Sequence, residues 1–249
     1  MAAGGPRRGR QRIMAPAPER GRKPRRARPG GSSQGPADTF QDLDAYYDKS
    51  WVGGAGRSAV LVIHAGSAWP AQRTDAGLAI TWVKDNARRF GVDPKRIALH
   101  GFSSGGHIAV ATSGSLRNVR AAVSVSGVLQ PHGVMDVAVN GGTGSDRRTT
   151  SVVIRSQWTA LAVQCPYLPA WGECSARWNS FKPETHFSAA APPFYAMMGS
   201  VDTVVPSSTP AAVDYWATRK DQEHLAVMVP GAGHDERMLT GNPTRWAAM

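Results

Sequence analysis

No apolar run in these 249 residues approaches the roughly 18 to 20 positions that a spanning helix needs, so an integral membrane protein is excluded. A secretory signal is not readable either, because the basic N-terminal run is not followed by an apolar stretch of about 7 to 15 residues. The expected location is therefore cytoplasmic by default, with export possible only from a different start. Cysteine is scarce: the two present, Cys165 and Cys174, flank a stretch containing Pro, Gly and Trp. That spacing fits one short disulfide loop in an oxidising compartment or two free buried thiols in a reducing one.

Acidic residues are also few, 18 against 29 Lys and Arg, for a net charge of +11. Read over the whole chain, that excess points to a nucleic-acid binder. Its distribution argues otherwise. Residues 1–37 hold ten bases (Arg7, Arg8, Arg10, Arg12, Arg20, Arg22, Lys23, Arg25, Arg26, Arg28) and one acid, Glu19, which leaves 19 bases and 17 acids for everything after. This leading stretch has almost no branched or aromatic side chains to bury, so residues 1–38 are expected to be a disordered basic tail. Such a tail binds polyanions weakly by counterion release and without sequence preference. No specific nucleic-acid partner is expected. Residues 39–249 suffice for one domain with a sizeable core.

From Asp38 onward, short apolar runs alternate with amphipathic stretches, the pattern of an α/β protein with a mostly parallel sheet flanked by helices. Strands are predicted over 59–64 (AVLVIH), 96–100 (RIALH), 120–126 (RAAVSVS), 193–198 (PFYAMM) and 225–229 (LAVMV). Thr74 or Asp75 is expected to cap a helix with Leu78, Ala79, Trp82, Val83, Ala87 and Phe90 on its apolar side. Ser208 or Thr209, followed by Pro210, opens another through Ala212, Tyr215 and Trp216. The stretch from about 141 to 188 lacks clear periodicity and holds Trp158, Tyr167, Trp171, Trp178 and Phe181. It reads as an insertion or cap over a site.

Gly101-Phe102-Ser103-Ser104-Gly105 matches G-x-S-x-G, in which a tight strand-to-helix turn pushes a serine hydroxyl out of the sheet. The pattern alone is weak, and Gly31-Ser32-Ser33-Gln34-Gly35 in the tail matches it too. Ser103 has what Ser33 lacks, a strand before it and a small-residue helix start after it. A serine hydroxyl needs a histidine to take its proton, and that histidine needs a carboxylate to fix its tautomer. Asp202 follows the strand PFYAMM and His234 follows LAVMV, so both are expected at the sheet edge that carries Ser103. Asp214 falls within a helix, and His100, His132, His186 and His224 lack comparable placement. His107, behind the turn, is expected to be a packed, hydrogen-bonded residue. Backbone N–H groups for an oxyanion are expected from Ser104 and from Gly66 and Ser67 in the loop HAGSAW.

These residues resemble the α/β-hydrolase superfamily, in its esterase/lipase-like branch with an HGGGW-type oxyanion loop and a GxSAGGH-type elbow. The matching pieces are VLVIHAG, WVKDNARRFGVDPKRIALHGFSSGGHIA, VRAAVSVSG, APPFYAMMGSVDTVVP and VPGAGHDERML, covering most of residues 58–240. The resemblance implies hydrolysis of small-molecule carboxylic esters through an acyl-enzyme, with Ser103, His234 and Asp202 as catalytic residues and no metal or organic cofactor. A hydrolase-fold protein kept only for binding and a serine peptidase of the oligopeptidase type are the alternatives. The chain departs from the pattern at Ala65 and Ser67, where glycines are usual. It also lacks the helix and central strand that usually lie between the oxyanion loop and the helix before the elbow.

Overall fold

The computed structural model describes residues 8–13, 43–48, 56–64, 69–116, 118–141 and 172–235, with isolated positions at 54, 156, 159, 160, 163–165 and 238. Five strands form one parallel sheet: β3 (Arg57–Ile63), β4 (Val92–Phe102), β5 (Ala121–Val125), β6 (Phe194–Gly199) and β7 (His224–Val229), in that spatial order. An antiparallel pair, β1 (Arg8–Ile13) and β2 (Leu43–Asp48), precedes them. Of the tail expected from the sequence, the structure describes Arg8–Ile13, which lies in β1. Its register sets Arg8 opposite Asp48 and Arg12 opposite Asp44. The rest of that stretch, with Ser33, lies outside the described residues.

The spatial order of the five strands is also their chain order, so the chain crosses the sheet in one direction. Parallel crossovers are right-handed, and a right-handed crossover that always steps the same way lays every connecting helix on the same face. The core obeys this. Leu61, Leu99, Ala122, Phe194 and Ala196 point to one face and pack with Ile80 of α1 (Ala71–Asp85), Ala109 and Val110 of α2 (Ser104–Leu116) and Val213 and Ala217 further along the chain. On the other face of edge strand β3, Val60 and Val62 are 63% and 67% exposed. Among the described residues no strand lies between β3 and α1, and β3 is an edge of this sheet, with Val60 and Val62 exposed.

Helix boundaries depart from the sequence expectation in identifiable ways. Helix α1 begins at Ala71 with Pro70 as its N-cap residue, four positions before Thr74, the nearer of the two expected caps. The Thr74 hydroxyl instead donates back to the Pro70 carbonyl, 3.4 Å away, inside the first turn. Leu78, expected in the apolar face, is 41% exposed, because the helix is phased by Ala76 and fully buried Ile80, about 200° around the axis from Leu78. Helix α3 (Pro131–Asn140) was not anticipated, although Pro131 in its first turn and the spacing of Val134, Met135, Val137 and Ala138 are helix signals.

Within the expected insertion, helix α4 (Gly172–Phe181) is followed by a 3-10 turn, Pro183–His186. Its Trp178 and Phe181 are core residues, packed with Trp69, Ala111, Met135 and Val163. Cys165 and Cys174 are joined in a disulfide, Cα atoms 5.4 Å apart, which decides between the two arrangements that their spacing allowed. Trp158, Tyr167 and Trp171 lie outside the described residues. Helix α5 (Thr209–Arg219) starts as expected, with Ser208 as its N-cap residue and Pro210 in the first turn. It buries Val213 and Ala217 and leaves Tyr215 and Trp216 on its outer side. Among the described residues no helix is long and apolar enough to cross a membrane.

The one-sided packing makes a direct prediction. Leu99→Ala, at a fully buried position of the second strand, is expected to cost about 2–5 kcal/mol of unfolding free energy. Val60→Thr on the exposed face is expected to change it by about 0.5 kcal/mol or less. Urea titrations of both variants measure the difference, and equal losses would contradict the assignment of faces.

Candidate active site

The turn after β4 is shaped by close backbone approaches. Added to Gly101, a Cβ would overlap the carbonyl of Gly105, and added to Gly105 it would overlap the carbonyl oxygen of Ile63 at the end of β3. The chain therefore reverses tightly from strand to helix, and Ser103 at its apex is held at φ 55°, the left-handed region that a side chain rarely adopts. Two backbone hydrogen bonds brace this conformation: Ser103 N–H donates to the Val125 carbonyl at 2.9 Å, and His107 N–H donates to the Ser103 carbonyl at 3.2 Å. Ser104 is the first residue of α2, where amide N–H groups have no acceptor within the helix.

Asp202 and His234 arrive from the ends of β6 and β7. One Asp202 oxygen, Oδ1, accepts from the N–H groups of Val204 at 2.8 Å and Val205 at 2.9 Å, which orients the carboxylate. Its other oxygen, Oδ2, accepts from Nδ1 of His234 at 2.9 Å. Nε2 of His234 then lies 3.1 Å from the Ser103 hydroxyl oxygen. The Phe102 ring packs beside the imidazole, centroids 4.9 Å apart. Burial by itself raises the Asp202 carboxyl. The hydrogen bond and charge of His234, with the N–H groups of Val205 and Val204, outweigh burial and hold it below the ordinary carboxylate range. An ionised carboxylate on Nδ1–H leaves the Nε2 lone pair facing the serine.

Of the residues nominated from the sequence, Ser103, Asp202 and His234 are thus joined in one hydrogen-bonded chain, with Ser104 adjacent to Ser103. Gly66 and Ser67 lie outside the described residues. Asp214 is on exposed helical surface, 3.1 Å from His224. His186 donates to the Ser180 carbonyl at 3.0 Å. His107 is buried and donates from Nε2 to the Phe181 carbonyl at 2.7 Å, tying α4 to the helix behind Ser103. Among the described residues no group of three His, Cys, Asp or Glu side chains is placed to hold a metal ion.

The BD-FAE family model matches residues 62–216, more than half of the chain, including β4, the Ser103 turn and Asp202. The chain belongs to the BD-FAE family. It falls in the esterase/lipase-like branch of the α/β-hydrolases. Esterase LipQ of Mycobacterium tuberculosis is 28% identical over 149 residues, 56% of this chain and 32% of that protein. The probable carboxylic ester hydrolase LipM of the same organism is 27% identical over 145 residues, 55% of this chain and 31% of that protein. The match thus spans about a third of the length of these curated relatives. Among solved structures, a truncated carbohydrate esterase from gut microbiota superposes with a TM-score of 0.59 at 18% identity, covering 84% of this chain and 91% of that one. The thermophilic carboxylesterase EstE1 from a metagenomic library gives a TM-score of 0.57 at 19% identity, covering 83% and 81%. At these identities the superpositions establish the fold.

Two histidines whose pKa values burial lowers contribute to the response of this BD-FAE protein to acid. Burial lowers His107 to about 4, the Phe181 carbonyl opposing the shift and His186 adding to it. Burial also lowers His132 to about 4, with Lys182 adding to the shift and Asp136 opposing it. Both are neutral when folded and titrate near 6.5 when unfolded. The stability linked to their neutrality is whole above pH 6.5 and is lost as pH falls towards 4. Asp202 acts in a lower window: its contribution is present above about pH 4 and is lost as pH falls further, through its depressed folded value. Urea unfolding between pH 7.5 and 4.5 is expected to show declining stability, with a shallower decline in His107→Gln. Parallel slopes would refute the assignment.

Proposed function

We propose that this protein hydrolyses small-molecule carboxylic esters through an acyl-serine intermediate on Ser103. The observation that carries the reading is the unbroken chain from the Ser103 hydroxyl through both ring nitrogens of His234 to Asp202, at 3.1 Å and 2.9 Å. Both distances lie within the reach of proton transfer. The names of the M. tuberculosis relatives, an esterase and a probable carboxylic ester hydrolase, support the same chemistry.

In this mechanism Ser103 Oγ attacks the ester carbonyl carbon while its proton moves to Nε2 of His234. Asp202 stabilises the imidazolium so formed and keeps Nδ1 protonated throughout. The negative oxygen of the tetrahedral intermediate is stabilised by the backbone N–H of Ser104 and by those of Gly66 and Ser67 in the HAGSAW loop. As the intermediate collapses, the carbon–oxygen bond to the alcohol breaks and His234 returns the proton to the departing oxygen. Water then attacks the acyl-serine, with His234 again as base, and releases the carboxylic acid.

Turnover of a short-chain p-nitrophenyl ester by the wild type is expected to fall by at least about 10⁴-fold in Ser103→Ala and by about 10⁴-fold in Asp202→Asn. Undiminished turnover in Ser103→Ala would mean a different nucleophile. A fluorophosphonate probe is expected to form one adduct, on Ser103. A folded wild-type sample that takes up no probe would instead favour a hydrolase fold used only for binding.

A further inference from the structure

Asp202 and His234 lie on separate turns, and something must hold those turns together. The β6–β7 ladder ends at the pair Gly199 and Val229, three residues before Asp202 and five before His234. Beyond it the turns are joined by two backbone bonds: Ser200 N–H donates to Val229 O at 3.0 Å, and Val201 N–H donates to Ala232 O at 3.0 Å. The two backbones press together closely. A Cβ on Gly199 would collide with the carbonyl oxygens of Ala232 and Gly233, directly before His234. One side chain completes the clasp. The Ser200 hydroxyl oxygen accepts from the N–H of Gly231 at 2.9 Å. Gly231 stands at φ 72°, where the chain leaves β7 and bends towards His234.

We propose that Ser200 is a positioning residue for the proposed ester hydrolysis. Its hydroxyl pins the His234 turn to the Asp202 turn and so fixes the Nδ1 to Oδ2 contact. Ser200 is remote from the nucleophile in sequence, and its oxygen is committed to a backbone amide. Its effect passes entirely through the imidazole: loosening the Gly231 amide lets the turn carrying His234 drift from the carboxylate, and the correctly oriented ring is populated less of the time. Substrate binding, which needs neither turn to be locked, is left as it was. The consequence is a loss in kcat with KM unchanged.

The proposal rests on the reading of Ser103, His234 and Asp202 as the reacting group, and its test keeps the two apart. Ser200→Ala is expected to lower kcat for a p-nitrophenyl ester by about fivefold, the rate equivalent of one neutral hydrogen bond, with KM within about twofold of wild type. Ser200→Thr, which keeps the hydroxyl, is expected to restore most of that loss. Combined with His234→Ala, Ser200→Ala is expected to add nothing to the residual loss. The downfield imidazole N–H resonance of His234, assigned by its disappearance in His234→Ala, is expected to exchange faster with solvent in Ser200→Ala. That resonance reports on the clasp whether or not the protein turns over esters. An unchanged exchange rate overturns the proposal. So does a loss confined to KM, an equal loss in the His234→Ala background, or a threonine variant as slow as the alanine variant. Loss of turnover in Ser103→Ala, measured alongside, tests the hydrolytic reading separately. Gly199→Ala serves as a harsher second variant, expected to show the same faster exchange if it folds.

Discussion

Parallel pairing is the constraint on which the site depends. Because β4, β6 and β7 run the same way, their carboxyl ends share one edge of the sheet, and the turns bearing Ser103, Asp202 and His234 are neighbours despite a sequence separation of 131 between serine and histidine. Within that edge, precision comes from backbone approaching backbone. Gly101 and Gly105 let the elbow close against itself and against β3, and Gly199 lets the histidine turn lie on the aspartate turn. The polar chain through the three side chains is then placed by main-chain geometry, with side chains contributing at Ser103, Asp202, His234 and Ser200.

The residues of the site were legible in the sequence for a definite reason. Each follows a run of apolar residues that can only be a covered parallel strand, and each sits in a turn rich in glycine or proline. Ser33 matched the same short pattern but lacked the strand. Ser200 was not singled out, because nothing local distinguishes it from other loop serines: its partner is 31 residues away and becomes a neighbour only when β6 and β7 pair. The start of α1 was misplaced for a similar reason, since Thr74 has the chemistry of a cap and its hydroxyl finds a carbonyl within the turn instead.

The shortened stretch between β3 and α1 has a structural counterpart. The strands step in one direction across the sheet, and buried clusters gather α1, α2 and α5 on one side while Val60 and Val62 face outward on the other. The expected insertion packs at a different place. Trp178 and Phe181 pack over α2, His107 bonds to the end of α4, and the Trp69 indole N–H donates to Ser180 Oγ at 3.0 Å. This second layer covers the helix behind Ser103.

The order of the five strands has a consequence in time. A chain emerging from the ribosome can add β3 through β7 one after another at a growing edge, and no later strand has to be threaded between two already paired. The Ser103 turn forms near the middle of that order and the His234 turn follows β7, the last of the five strands. Until β7 pairs, the elbow can be complete while the His234 imidazole has not yet reached the Ser103 hydroxyl. Pairing of β7 is thus the step that brings the His234 imidazole to the Ser103 hydroxyl.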